Sequence, residues 1–164
     1  MAATEDGPAA RSSPMTSPGY RAGVVMLVRG LDGRLLAFER GDVPGQWQLP
    51  QGGLEENETP LAAAWRELHE ETGLGRSDVQ LVAEYPDWVS YEYPEELKPA
   101  KGRLGQTQRW FLFEALRSDI TPVPDDREFV AWQWVTPAWI VENVVEFRRP
   151  GYAQVLRFWS SSRP

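Results

Sequence analysis

One short run constrains this chain more than any other: residues 59–73, which carry both ends of a helix and an unusual charged face between them. Thr59 is a residue type that caps helix N-termini, and Pro60 follows at the first helical position, where its missing N–H costs nothing. Gly73 closes the segment, since glycine readily enters the left-handed conformation that ends helices. At about 100° per residue, Leu61, Trp65, Leu68 and Thr72 share one stripe, predicted to face the core. Glu67, Glu70 and Glu71 share another, at i, i+3 and i+4. Carboxylates at that spacing repel, and Arg66 is the one basic neighbour within the turn. A solvated acidic face is the plain reading. A bound divalent cation is the other, because clustered hard oxygen ligands suit magnesium or manganese. The pair Gly52-Gly53 ahead of the helix permits close backbone approach and lets a carbonyl face the same ion. Spacing alone leaves both readings open.

Composition narrows the chemistry. The 164 residues match one domain. Absence of cysteine excludes disulfides, thiolate nucleophiles and Cys-zinc sites, and one histidine excludes multi-His metal clusters. His69 is assigned no role. The net charge of −7 argues against coating nucleic acid through a broad basic surface. No apolar run reaches the roughly 20 residues of a membrane span, and no secretory signal pattern is present, so a cytoplasmic protein without membrane contact is expected. No obligate protein partner is evident. Enzymes that work through carboxylates remain.

The expected organisation is a disordered leader over residues 1–19, a folded domain over 20–159 and a flexible tail over 160–164. Residues 22–29 and 34–40 are apolar runs joined by Gly30-Leu31-Asp32-Gly33, which predicts a hairpin. Further strands are expected at 79–85, 88–93, 107–116 and 129–135, with a short one at most at 47–50. A polar loop is expected at 94–105, and two last helices at 139–145 and 151–158. Trp110-Phe111-Leu112-Phe113 is apolar on both faces, as in a strand covered on both sides. The fold class is therefore α/β, a mixed β-sheet sandwiched between α-helices. Most of the eight tryptophans are expected in the core.

Gly52, five residues, Glu58, seven residues, then Arg66-Glu67-Leu68-His69-Glu70-Glu71-Thr72-Gly73-Leu74 resembles a complete Nudix box. Pro50-Gln51-Gly52-Gly53, residues 105–111, residues 128–135 and Val144-Val145-Glu146-Phe147 are similar to bacterial RNA 5′-pyrophosphohydrolases and plant-type diadenosine tetraphosphate hydrolases. The resemblance spans about residues 20–158 and implies the Nudix fold. It also implies that Glu67, Glu70 and Glu71 bind Mg2+ (or Mn2+), with the carbonyl of Gly52 and the side chain of Glu128 as further ligands. One carboxylate orients or deprotonates the attacking water, with Glu71 first choice and Glu128 second; Glu70 completes the catalytic set. Glu58 and Arg66 look like a supporting pair behind the ligands.

By the same resemblance, Arg21, Arg40 and Arg109 contact phosphates, and Tyr91, Val145 and Phe147 form a base-binding patch. Lys101 and Arg103, in the polar loop, are placed to touch a longer chain. The implied substrate is a nucleotide, with dinucleoside polyphosphates first and diadenosine tetraphosphate cleaved to ATP and AMP. The alternative is the 5′-triphosphorylated end of RNA. A non-catalytic nucleotide-binding module is the lesser reading, since every position of the box is filled.

Overall fold

Alternation along two long strands explains the layering of the computed structural model, which describes residues 19–161. In β1 (Tyr20–Arg29), Val24, Met26 and Val28 face one core while Val25 and Leu27 face another. In β7 (Gly105–Ala115), Trp110 and Leu112 join the second core, and Phe111 and Phe113 the first. The two strands run parallel and in register from Tyr20↔Gly105 to Arg29↔Glu114. Both faces of this pair are therefore dry and must be roofed. Helix α1 (Pro60–Thr72) covers one through Ala63, Ala64 and Leu68. Helices α3 (Pro137–Asn143) and α4 (Arg149–Ser161) cover the other through Ile140, Tyr152, Val155, Leu156 and Trp159.

The remaining strands are β2 (Leu35–Arg40), β3 (Trp47–Gln48), β4 (Gln51–Gly53), β5 (Val79–Glu84), β6 (Val89–Glu92) and β8 (Phe129–Val135). All eight form one mixed sheet with the path β3-β2-β1-β7-β5; β4 pairs with β1, β6 with β7, and β8 with β2. The expected hairpin forms only at its tip. Arg29↔Leu35 is the single register pair between β1 and β2, after which the strands part. Farther along, β1 pairs with β4 over Gly23–Val25, and β2 pairs with β8 over most of its length. Turn chemistry set the tip. Competition from two other strands for the same edges opened the rest.

Helix α1 has the ends its sequence specifies. The Thr59 hydroxyl accepts a hydrogen bond from the Ala62 N–H at 3.1 Å, and Gly73 adopts φ +75°. Its buried side is rotated from the expected stripe. Ala63, Ala64, Leu68, Glu71 and Thr72 are buried, Trp65 is half-buried, and Leu61 is 37% exposed. Small alanines bring the helix close to the sheet, and that approach draws Glu71 inward.

The loop over 94–105 contains a 3₁₀ turn (Glu95–Leu97) and the short helix α2 (Lys98–Lys101). The last helix follows a second 3₁₀ turn (Glu146–Arg148) and continues through Ser161, past the expected domain end at 159. Of the tryptophans, Trp110 and Trp159 are fully buried. Trp47, Trp65, Trp132, Trp134 and Trp139 pack at the edges of the two cores. The expected leader over 1–19 lies outside the described residues apart from residue 19, and of the expected tail over 160–164 only residues 160 and 161 are described.

Candidate active site

The loop between β4 and α1 brings backbone against carboxylate. A Cβ on Gly52 would overlap the side chain of Glu67, and one on Gly53 would overlap the guanidinium of Arg21. Both side chains thus occupy space that only glycine leaves free. Strand β4 is held beside β1 by the pairs Gly23↔Gly53 and Val24↔Gly52, which fixes the height of the loop over the helix. The Gln51 N–H donates to Glu71 at 3.2 Å, tying the same strand to the helix.

Behind this contact Arg66 gathers the acids. Its Nε donates to Glu58 at 2.7 Å and one terminal nitrogen donates to the other Glu58 oxygen at 2.9 Å. The same terminal nitrogen reaches the Gly53 carbonyl at 3.1 Å. The second terminal nitrogen donates to Glu67 at 3.1 Å and Glu70 at 3.3 Å. Glu58 also accepts from the Glu55 N–H at 2.9 Å, which closes the loop on itself. Arg66 holds Glu58 well below the usual carboxylate range. A fork with several acceptors at fixed angles is the geometry guanidinium supplies and ammonium does not.

These groups open on a cleft of about 600 Å³, and six carboxylates and five cations line it. Glu67, Glu70 and Glu71 come from α1, and Asp125 and Glu128 from the turn before β8. Asp42, from the loop after β2, is the sixth, and its carboxylate is paired with Arg40 at 2.8 Å. Asp125 accepts from the N–H groups of Arg127 and Phe129, both at 3.1 Å, so the turn that presents Glu128 is internally braced. Glu71 is 6% exposed. Burial, then the charges of Glu67 and Glu128, push its carboxyl up to about 9. Burial also raises Glu67, against the pull of Arg66. Acids this crowded stay neutral or acquire a cation.

The donor set therefore fits a hard divalent ion: carboxylate oxygens, a glycine carbonyl nearby, and negative charge beyond what Arg66 offsets. Among the described residues, no three acidic side chains converge on one point as they stand. Arg66 instead draws Glu67 and Glu70 toward itself. An ion placed among them would compete with the guanidinium for these two carboxylates.

Of the cations expected from sequence, Arg21, Arg40 and Lys101 line the cleft. Arg109 does not. It alternates with Gln108 and Trp110 to the other face of β7, where it pairs with Glu84 and lies 5.5 Å from the centre of the Trp88 ring. Arg103 also lies outside the lining residues. Phe147 packs 5.4 Å from Tyr91 and 5.7 Å from Tyr93. Tyr93 lines the cleft, whereas Tyr91, Val145 and Phe147 are not among its lining residues. Sequence reasoning missed Asp125, Arg127 and Arg148, all lining the cleft. Arg148 directly follows Phe147, so its signal lay one residue past the matched motif.

The family model described as NUDIX domain matches residues 19–155. Nudix hydrolase 25 of Arabidopsis thaliana is 38% identical, over 88% of this chain and 88% of the relative. An RNA pyrophosphohydrolase of Roseobacter denitrificans is 44% identical, over 80% of this chain and 86% of the relative. Among solved structures, the E. coli dihydroneopterin triphosphate pyrophosphohydrolase is similar with a TM-score of 0.68 and 25% identity, covering 84% of this chain and 97% of that one. A C. elegans Ap4A hydrolase shares the fold, with a TM-score of 0.63 at 19% identity, covering 85% of this chain and 96% of that one.

Proposed function

Because this chain belongs to the Nudix hydrolase family, we propose that its cleft hydrolyses a phosphoanhydride bond in a dinucleoside polyphosphate, diadenosine tetraphosphate giving ATP and AMP. The observation that carries this reading is the cleft itself, where acids and cations line one space of about 600 Å³. A polyphosphate needs both: a metal-holding side at the bond that breaks, and guanidinium or ammonium groups along the rest of the chain.

Glu67, Glu70, Glu71 and Glu128 would hold Mg2+ or Mn2+, with the Gly52 carbonyl as a further ligand. A divalent ion there supplies neutralisation of phosphate charge and activates water. Glu71, or Glu128 after it, accepts the proton of the attacking water. Arg66 and Glu58 keep the box loop against α1, so that Gly52 and Glu67 stay in contact. Arg21, Arg40 and Lys101 take phosphate oxygens. The rings of Tyr91, Tyr93 and Phe147 supply apolar surface for a base, with Val145 beside them in sequence. A cytoplasmic location and action without an obligate partner accompany this reading; among the described residues no helix is long and apolar enough to cross a membrane.

The 5′-triphosphorylated end of RNA is the second reading, favoured by the 44% identity to an RNA pyrophosphohydrolase. Against it, several surface cations are already engaged. Arg34 pairs with Asp32, Arg117 with Asp78, and Lys98 with Glu92 and Glu95. Phosphate contacts from free Lys and Arg dominate affinity for long nucleic acid. Product analysis under identical magnesium tests the choice. ATP plus AMP, formed faster than monophosphorylated RNA ends, supports the first reading. Faster conversion of RNA ends overturns it, and no product from either substrate leaves a binding module.

A further inference from the structure

Arg148 is a buried cation with no acid to pair with. It ends the 3₁₀ turn Glu146–Arg148, its N–H bonded to the Val145 carbonyl at 3.0 Å, and its side chain turns back toward the sheet. The residue is 7% exposed yet lines the cleft. One terminal nitrogen donates to Gln48 at 2.6 Å. The guanidinium lies 5.7 Å from the ring centres of both Tyr91 and Phe147. Its Nε and the Tyr91 hydroxyl are both buried and make no hydrogen bond. Among the described residues no carboxylate pairs with it.

Such a group is costly to bury. A charge removed from water needs a counter-charge, and an N–H left without an acceptor adds to the penalty. Faces of aromatic rings offset part of it. Other half-buried guanidinium groups of this chain do find acids: Arg29 has Glu114, Arg40 has Asp42, Arg66 has Glu58. Around Arg148 the polar groups are neutral. Gln108 donates to Gln51 at 3.0 Å and to Gln106 at 2.9 Å, and Gln106 donates to the Tyr93 hydroxyl at 3.0 Å. Gln51 belongs to both parts of the cleft, since its backbone N–H meets Glu71. The cleft thus has an acidic part, from α1 and the turn before β8, and a part where Arg148 meets the neutral Gln48.

We propose that Arg148 is a phosphate-binding residue: it receives a phosphate of the polyphosphate chain other than the one attacked, beside the aromatic rings that take the base. The assignment rests on the polyphosphate reading above and deepens it. The missing acceptor for Nε and the missing counter-charge are then one object, a phosphate oxygen. Gln48 holds the fork in place before the ligand arrives, which lowers the ordering cost of binding. The acidic part of the cleft addresses the reacting phosphorus, and Arg148 sets where the rest of the chain lies.

Calorimetric titration with inorganic tripolyphosphate and magnesium tests this on the full chain, with Arg148→Gln and Arg148→Lys beside the wild type. Loss of a charge-assisted contact predicts binding weaker by about 10-fold or more in Arg148→Gln. Arg148→Lys keeps the charge but loses the fork, and binds more weakly than wild type and more tightly than Arg148→Gln. With diadenosine tetraphosphate, Arg148→Gln raises KM by the same factor and leaves kcat within about 3-fold, as for a contact made equally in ground and transition states. Binding by Arg148→Gln within about twofold of wild type overturns the proposal, as does a lysine variant no better than the glutamine one. Should Arg148→Gln fail to fold, the wild-type protein still decides. Its Arg148 Nε–H resonance shifts on adding tripolyphosphate, and an unmoved resonance overturns the assignment. Tripolyphosphate binding that depends on Arg148, without turnover of any dinucleotide, would sink the proposed activity and leave the phosphate site standing.

Discussion

Glu71 carries more of the site's electrostatics than any other single residue. Its carboxyl is buried, faces Glu67 and Glu128, and is pushed up to about 9. In the metal-free protein the folded state therefore binds this proton more tightly than the unfolded chain does. Stability then falls as pH rises from the ordinary carboxylate range through about 9. Metal-free protein should melt at a higher temperature near about pH 6 than near about pH 8.5, and magnesium should raise the melting point most at the higher pH. Glu71→Gln should flatten that dependence, and an unchanged slope in calorimetry would contradict it. The same substitution should lower turnover about 100-fold or more with the fold retained, the scale of losing one acid–base group. Gly52→Ala probes the neighbouring contact. Its methyl group would displace Glu67, so manganese binding followed by paramagnetic resonance should weaken clearly, while Gly75→Ala, with no atom near its Cβ position and no left-handed backbone, tests for a general backbone effect.

Helix α1 shows what a sequence pattern can and cannot fix at the scale of one element. Its ends were legible because capping is local: Thr59 bonds three residues ahead, and Gly73 ends the helix by its own backbone conformation. Thr59→Ala should cost about 1 kcal/mol in denaturant unfolding. Its rotation was not legible. A wheel weights Leu61 and Trp65 by size, but the sheet accepts Ala63 and Ala64 because they allow close approach. Leu68→Ala should therefore destabilise by about 2–5 kcal/mol, whereas Leu61→Ala, at a partly exposed site, should stay within about 1 kcal/mol. Equal losses would contradict the observed rotation. The β1–β2 hairpin failed for a related reason: turn residues specify a tip, but the pairing of β1 with β4 and of β2 with β8 involves residues far apart in sequence.

Across the whole molecule, helices on both faces of β1 and β7 followed from apolar runs that no one-sided sheet would bury, whereas their parallel pairing joins residues some 85 positions apart and was not legible. The acids of the box were legible as spacing, and their convergence with Glu128 came from resemblance. Arg109 shows the limit: it alternates to the face of β7 opposite Gln106, which lines the cleft, and spacing within a motif does not say which face meets the cleft. With Arg34, Lys98 and Arg117 held in ion pairs, lengthening an RNA substrate past its first few nucleotides should change KM by less than about 3-fold, with a shallow salt dependence. The most direct measurement of the central claim is a crystal of the protein soaked with magnesium and a non-hydrolysable diadenosine tetraphosphate. The account predicts density for divalent ions among Glu67, Glu70, Glu71 and Glu128, with the phosphate chain running from them through the same cleft. Phosphates bound elsewhere, with those four carboxylates turned to open solvent, would contradict it.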